Sequence, residues 1–323
     1  MKIVSHTTIN PVKREYLRQG VLRLCLEADL SFIEAEDHPA DKLKGAEIFL
    51  TYRFERDWWL VCNKMKWIHI GGAGVNHIAF PELVNSAVIV TNSRGIHCRT
   101  MAEYVLSVML YFGQQLRLAE EWKLHRQWQK AKQPMTLNSF TLRGKKVGIV
   151  GGGAVGAAVR DLCLKMDMCL FVLHRTRRTD TPWNVRNGDF SDLDELMQWA
   201  DFVVIALPLT QETAGCIDRR RIGLMKPGAI LINLARGGLV DETALADALN
   251  EKKLAGACLD VFQKEPLPAD SPLFDIPNLL ITPHISGNYV EYTIDVIDLF
   301  LDNLQRYLQG KPLKNVIDWK KGY

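Results

Sequence analysis

Residues 145–159, KKVGIVGGGAVGAAV, limit what this chain can fold into more than any other stretch. Lys145 to Val150 reads as a short, fully buried parallel strand, and a helix of small residues starts at Ala154. Between them Gly151, Gly153 and Gly156 keep a G-x-G-x-x-G spacing. In that setting Gly151 permits a tight turn, Gly153 lets backbone N–H groups approach a pyrophosphate, and Gly156 lets the helix lie close on its strand. The helix N-terminus, with Ala154 and Val155 in its first turn, turns the positive end of its dipole toward phosphates. On spacing alone an ordinary glycine-rich turn competes with this reading. The strand before and the helix after favour a dinucleotide loop.

A chain of 323 residues predicts about two domains. The formal charge of only +3 gives no broad basic face, which argues against nucleic acid as a partner. Seven cysteines at irregular spacings, with no C-x-x-C pair, fit reduced thiols and a cytoplasmic setting better than a disulfide framework. No apolar run reaches membrane-spanning length, and MKIVSHTTIN lacks a signal-peptide core. No metal is expected.

Up to about residue 98, short apolar runs alternate with helical stretches. Lys2–Val4, Glu47–Leu50, Trp67–Ile70 and Val88–Thr91 read as strands, and Val12–Gln19 reads as a helix stopped by Gly20. This is an α/β unit in its own right. The loop GGAGVNHI, residues 71–78, follows the strand Trp67–Ile70, where exposed backbone N–H groups can hold a small anion such as a carboxylate. Thr100-Met-Ala-Glu103 has the form of a capping box, which predicts a helix from about 101. Its apolar residues cover every face, as in a buried helix that joins domains or meets another subunit. Farther on, Cys169–Leu173, Phe202–Leu207, Ile230–Leu234, Gly256–Val261 and Leu279–Thr282 read as strands with helices between them. That alternation predicts a doubly wound parallel sheet. Asp241 is expected to cap a helix through Asn250, and the last helix, about Glu291 to Leu308, to end at Gly310.

An NAD site of this kind usually carries an acid about 20 residues past its glycines, bonded to the ribose 2′-hydroxyl. Here that place holds Arg175, within FVLHRTRR. The cationic, hydroxyl-bearing end made by His174, Arg175, Thr176, Arg177 and Arg178 suits a 2′-phosphate, so NADP(H) is expected over NAD(H). A solvated basic turn is the plainer alternative. Arg236 in NLARGGLVD, Glu265 in DVFQKEP and His284 in ITPHISG each lie just past an apolar strand. Singly they read equally well as surface or structural residues. Together they make a hydride-transfer constellation: arginine to orient a 2-oxo acid, histidine to move the proton, and a carboxylate that favours the imidazolium.

With GGAGVNHI, MAEYVLSVML, LRGKKVGIVGGGAVG, ADFVVIALPLTQET, LLITPHISG and the long run from LMKPGAILINLARGGLVDE to LDVFQKEPLP, the chain closely resembles the D-isomer-specific 2-hydroxyacid dehydrogenase family over nearly its whole length. The resemblance implies an α/β fold in which a Rossmann domain is inserted into a smaller flavodoxin-like substrate domain. Residues 99–287 would form the Rossmann domain; residues 1–98 with 288–323 would form the substrate domain. It implies that Arg236, Glu265 and His284 are catalytic, with Arg236 and His284 on the substrate. Backbone N–H groups near Ala73 and Gly74 would hold the carboxylate. Asp260, Leu234 and Ala235 would face the nicotinamide amide, and Pro208 would line the ribose and adenine side. A homodimer is expected on the same ground.

Three departures stand out. Asn76 replaces a common aspartate, Arg175 replaces the cofactor acid as in the NADPH-preferring glyoxylate and hydroxypyruvate reductases, and Arg94 stands where proline is common. Nothing in the sequence accounts for Arg94. The leading expectation is an NADPH-dependent reductase of small 2-oxo acids such as glyoxylate or hydroxypyruvate. The competing readings are an NAD-dependent dehydrogenase of a larger D-2-hydroxy acid or 3-phosphoglycerate, and a dinucleotide-sensing scaffold of the co-repressor type.

Overall fold

All the named strand pairings in this computed structural model are parallel, and they fall into two separate sheets. Residues 1–7, 10–128, 132, 135, 137–177 and 184–319 are described, apart from the Asn76 side chain. The chain divides into two compact units: Met1–Ile96 with Tyr289–Tyr323, and His97–Asn288.

The first unit carries β1 (Lys2–His6), β2 (Asp29–Phe32), β3 (Ile48–Thr51), β4 (Trp67–Ile70) and β5 (Ile89–Asn92), in the order β2-β1-β3-β4-β5. This is the flavodoxin-like order. Side chains alternate between two apolar layers, because successive residues of a strand point to opposite faces. Ile3, Ile48, Leu50 and Trp67 pack with the helices Pro11–Leu24 and Tyr292–Leu308, while Val4, Phe49, Ile68 and Ile70 pack with Phe54, Trp58 and Leu83. Trp67 stacks on Phe300, with ring centroids 5.0 Å apart.

Gly20 does not stop the first helix, contrary to the sequence reading. The helix opens at Pro11 behind the Asn10 side chain, which accepts from Lys13 N, and runs through Gly20 to Leu24. Gly20 is buried, and a Cβ there would lie 2.3 Å from Leu301 Cδ1. The glycine is a close-packing position against the last helix, which itself ends just before Gly310 at φ +65°. Two strands escaped the sequence reading, β2 (DLSF) in this unit and β8 (VRNG) in the other. Both are four-residue edge strands: VRNG is mostly polar and carries little apolar alternation, whereas DLSF alternates but over the fewest residues at which alternation marks a strand.

The second unit carries β6 (Lys146–Val150), β7 (Cys169–Leu173), β8 (Val185–Gly188), β9 (Phe202–Ile205), β10 (Ile230–Asn233), β11 (Gly256–Leu259) and β12 (Leu279–Ile281). Their order, β12-β11-β10-β9-β6-β7-β8, reverses direction between β6 and β9. Ligands of open α/β sheets bind beyond the carboxyl ends of the strands at such a switch point. The 151–156 loop lies there, and the segments after β9, β10, β11 and β12 leave from the same end of the sheet.

The helix at the start of this unit begins at Cys98, behind His97, so the capping box expected at Thr100 is not formed. Glu103 instead pairs with Arg99 one turn earlier, at 2.8 Å. Nor is the helix buried on every side. Ala102, Val105, Val108 and Met109 face the core, while Glu103 and Ser107 are exposed. Asp241 caps the helix Glu242–Asn250, its side chain accepting from Ala244 N at 2.9 Å. No helix among the described residues is long and apolar enough to cross a membrane.

Candidate active site

Gly151 adopts φ +117°, a backbone conformation open to glycine at little cost, and so turns the chain off β6. The helix that follows, Ala154–Lys165, lies so close that a Cβ on Gly156 would sit 2.0 Å from Gly151 O. Gly153 and Ala154 are exposed, Val155 is half-buried, and nothing lies within 4 Å of where a Gly153 side chain would be. An anion therefore has a clear approach to the helix N-terminus. The loop is braced from below. Gly152 N donates to Leu173 O at 2.7 Å, and the His174 ring fills the space beside Gly152. His174 Nε2 is 2.7 Å from Asn187 Oδ1, on the edge strand β8.

Beyond β7, Arg175 and Thr176 are exposed. Arg177 is turned toward acids, 2.5 Å from Asp192 and 3.6 Å from Asp189, which leaves it poorly placed for a cofactor phosphate. Arg178 lies outside the described residues. After β9, Pro208 is exposed, and its carbonyl accepts from Thr213 Oγ1 at 2.8 Å.

Arg236 follows β10 on a short loop shaped by Asn233, whose side chain accepts from Ala235 N at 3.1 Å and donates to Arg236 O at 3.0 Å. Leu234 is buried; Ala235 and Arg236 are half-buried, and Arg236 Nη1 donates to Ala235 O at 2.6 Å. Glu265 closes a turn on Phe262, whose N–H donates to its Oε1 at 3.0 Å. Its other oxygen lies 2.7 Å from His284 Nδ1. Burial pushes the Glu265 carboxyl up, but the hydrogen bonds from His284 and Phe262 and the nearby Arg236 charge outweigh it, and the net direction is down. An ionised Glu265 accepts the proton on Nδ1, which leaves Nε2 as the free working atom of the ring. Both side chains remain partly open, His284 at 51% and Glu265 at 37% exposure.

His284 itself has φ +55°, unusual for a residue with a side chain. Asp260, fully buried at the end of β11, holds that loop: its carboxylate accepts from Ile285 N at 2.8 Å and Ser286 N at 2.9 Å, and its carbonyl from His284 N at 2.9 Å. The structure thus brings Arg236, Glu265, His284 and Asp260 to one edge of one sheet. Sequence reasoning missed Asn233, Phe262 and Thr282, whose side-chain amide, backbone N–H and hydroxyl contacts leave no spacing signal.

In the other unit the loop after β4 has Ala73 exposed and Gly74 half-buried. It is tied down by Asn92 Nδ2 donating to Ala73 O at 2.5 Å and by Ser93 N donating to Gly72 O at 3.0 Å. Tyr292 donates its hydroxyl to Gly71 O, and the Tyr52 ring lies against Gly71. Arg94, unexplained by sequence, reaches the carbonyls of Asn315 and Val316 and so fastens the chain's end segment to β5.

The family model for the NAD-binding domain of D-isomer-specific 2-hydroxyacid dehydrogenases matches residues 106–286. A glyoxylate reductase of Thermofilum pendens is 34% identical over 262 residues, which cover 81% of this chain and 77% of the relative. A glyoxylate/hydroxypyruvate reductase B of Pectobacterium carotovorum is 33% identical, with 90% of each chain covered. A solved D-isomer-specific 2-hydroxyacid dehydrogenase of Xanthobacter autotrophicus, in complex with NADPH and MES, has a TM-score of 0.81 at 26% identity over 100% of this chain and 99% of that one. With the doubly wound sheet and the three side chains at its carboxyl edge, these matches make the chain a member of the D-isomer-specific 2-hydroxyacid dehydrogenase family, an oxidoreductase acting on CH–OH donors.

Proposed function

We propose that this enzyme reduces small 2-oxo acids, glyoxylate or hydroxypyruvate first among them, to D-2-hydroxy acids with NADPH. The observation that carries the reading is the His284–Glu265 pair: the carboxylate takes Nδ1, which leaves Nε2 for the substrate, and the Arg236 charge is near enough to act on Glu265. The open approach at Gly153 fits a pyrophosphate, and the exposed Arg175 and Thr176, where an acid would select NAD, fit a 2′-phosphate. The structural relative that binds NADPH and the two reductases point the same way.

When bound, the nicotinamide cofactor supplies the hydride. The rest is the work of the chain. Arg236 binds the substrate carboxylate and draws charge toward the carbonyl oxygen, as a planar guanidinium is shaped to do. His284 gives the proton on Nε2 to that oxygen, and Glu265 stabilises the charged ring through Nδ1. The backbone N–H groups of Ala73 and Gly74, at the exposed turn of their loop, are assigned to the carboxylate. Leu234, Ala235 and Asp260 are assigned to the nicotinamide amide, and Pro208 to the adenosine side. All seven cysteines are free thiols, which agrees with a cytoplasmic setting. A homodimer belongs to the same reading and is checked by sedimentation equilibrium.

The test is a panel of glyoxylate, hydroxypyruvate and pyruvate, each run with NADPH and with NADH. NADPH-supported reduction of one of the first two is expected. Equal or faster rates with NADH overturn the cofactor assignment, and no turnover with any pair, despite cofactor binding, favours the sensing scaffold.

A further inference from the structure

Behind the His284 loop four side chains from distant parts of the sequence form an unbroken chain of hydrogen bonds. Tyr104, on the helix Cys98–Gly113, has its hydroxyl 2.6 Å from Thr282 Oγ1 and 3.1 Å from Cys258 Sγ. Thr282 donates to Asp260 Oδ1 at 2.6 Å. The Asp260 carboxylate accepts at both oxygens, from Thr282 and Ile285 N on one and from Ser286 N on the other.

The direction of every proton follows from that carboxylate. An ionised carboxylate only accepts, so Thr282 donates to it. Thr282 then has only lone pairs for Tyr104, so Tyr104 donates to Thr282. Tyr104 in turn takes the Cys258 S–H. Burial pushes the Cys258 thiol up to about 12 and pushes the Tyr104 phenol above its ordinary value, with the neighbouring Cys258 and Asp260 adding to the rise. Both groups therefore keep the proton the chain requires.

What the chain fixes is the angle of the Asp260 carboxylate, and through it the Ile285 and Ser286 N–H groups that hold His284 at φ +55°. A residue with a side chain keeps that backbone shape only when its neighbours impose it. We propose that Tyr104 and Thr282 are positioning residues for His284: their hydroxyls set the Asp260 carboxylate that aims the imidazole, although neither touches the reacting atoms. This rests on the reading of His284 as the proton donor.

The hydroxyls can be removed almost without change of volume. Thr282→Val is expected to lower kcat for the 2-oxo acid by about tenfold or more, since a small misplacement of a catalytic group costs up to about a hundredfold. NADPH affinity, read by fluorescence titration without substrate, should fall by less than kcat does, since Asp260 is assigned to the nicotinamide amide as well, and Thr282→Ser should recover most of the loss. Tyr104→Phe should fall between wild type and Thr282→Val. A second readout needs no turnover: the His284 ring resonances in the NMR spectrum should move in Thr282→Val and return in Thr282→Ser. Wild-type kcat and unmoved His284 resonances in Thr282→Val overturn the proposal, as does a Thr282→Ser variant as poor as Thr282→Val. If wild-type enzyme turns over no 2-oxo acid, the functional reading fails, and the resonances still decide the positioning.

Discussion

Gly237 lies so tightly against Phe262 that a Cβ on it would sit 1.9 Å from the Phe262 carbonyl carbon and 2.1 Å from its oxygen. The loop bearing Arg236 and the turn bearing Glu265 are therefore packed backbone to backbone, with no side chain between them. This contact brings the guanidinium close enough for its charge to act on Glu265.

Gly237→Ala should force those backbones apart, since the obstacle is main chain and cannot rotate away. The expected result is a loss of kcat/KM of about a hundredfold, with a stability cost of about 1–3 kcal/mol. Steady-state kinetics and thermal melting check it; unchanged kcat/KM would show that the close packing does not set the site.

His284→Gln should cut turnover by about a hundred- to ten-thousandfold, the usual worth of a positioned proton donor. Cofactor binding should persist. Because Glu265 acts through the same ring, Glu265→Gln added to His284→Gln should cost almost nothing more. A double variant much slower than His284→Gln would give Glu265 a separate role.

Arg175→Asp places a carboxylate where the resemblance implies a 2′-phosphate. The ratio of kcat/KM with NADPH to that with NADH should fall by about tenfold or more, as expected when an attractive charge becomes a repulsive one. Arg177, already paired with Asp189 and Asp192, should matter less on substitution by alanine. An unchanged ratio in Arg175→Asp would make the basic turn a solvated surface.

Stability should fall as the pH drops below 6.5. His69 is fully buried in β4, and burial lowers its pKa to about 3. Trp67 Nε1 donates to Thr91 Oγ1, which donates to His69 Nδ1; His69 Nε2 then donates to Ser93 Oγ, which donates to Ile70 O. Every lone pair and proton of the neutral ring is used. Between pH 6.5 and about 3 the unfolded chain takes up a proton that the folded one refuses, so stability declines by up to about 1.4 kcal/mol per pH unit. Burial also lowers His6 and His97, more than the opposing contacts raise them, and both act in the same direction. Urea midpoints at pH 7 and pH 5 should differ in that sense, and less so in His69→Gln. Greater stability at pH 5 would contradict the assignment.

Much of this protein is legible in its residues because much of it is local. The glycine spacing after β6, the Asp241 cap and the apolar runs that become the central strands each depend on neighbours a few positions away. Together with the family motifs they suffice for two parallel α/β sheets and for the names of the three side chains. Local signals mislead where a distant partner outvotes them. Gly20 looks like a helix stop but is a contact for Leu301. They mislead locally too: Thr100–Glu103 looks like a cap, but the helix has already begun at Cys98 and Glu103 pairs with Arg99.

The sequence by itself determined the parallel α/β architecture, the family and which residue types stand at the strand ends, since strand period, turn chemistry and motif text are written along the chain. Only the tertiary structure decided how those residues are held. Tyr104 meets Thr282 across 178 positions, and Arg94 meets Asn315 across 221, both contacts partly buried. Such contacts arise when burial leaves polar groups to satisfy one another, and sequence spacing carries no record of which partner each one finds.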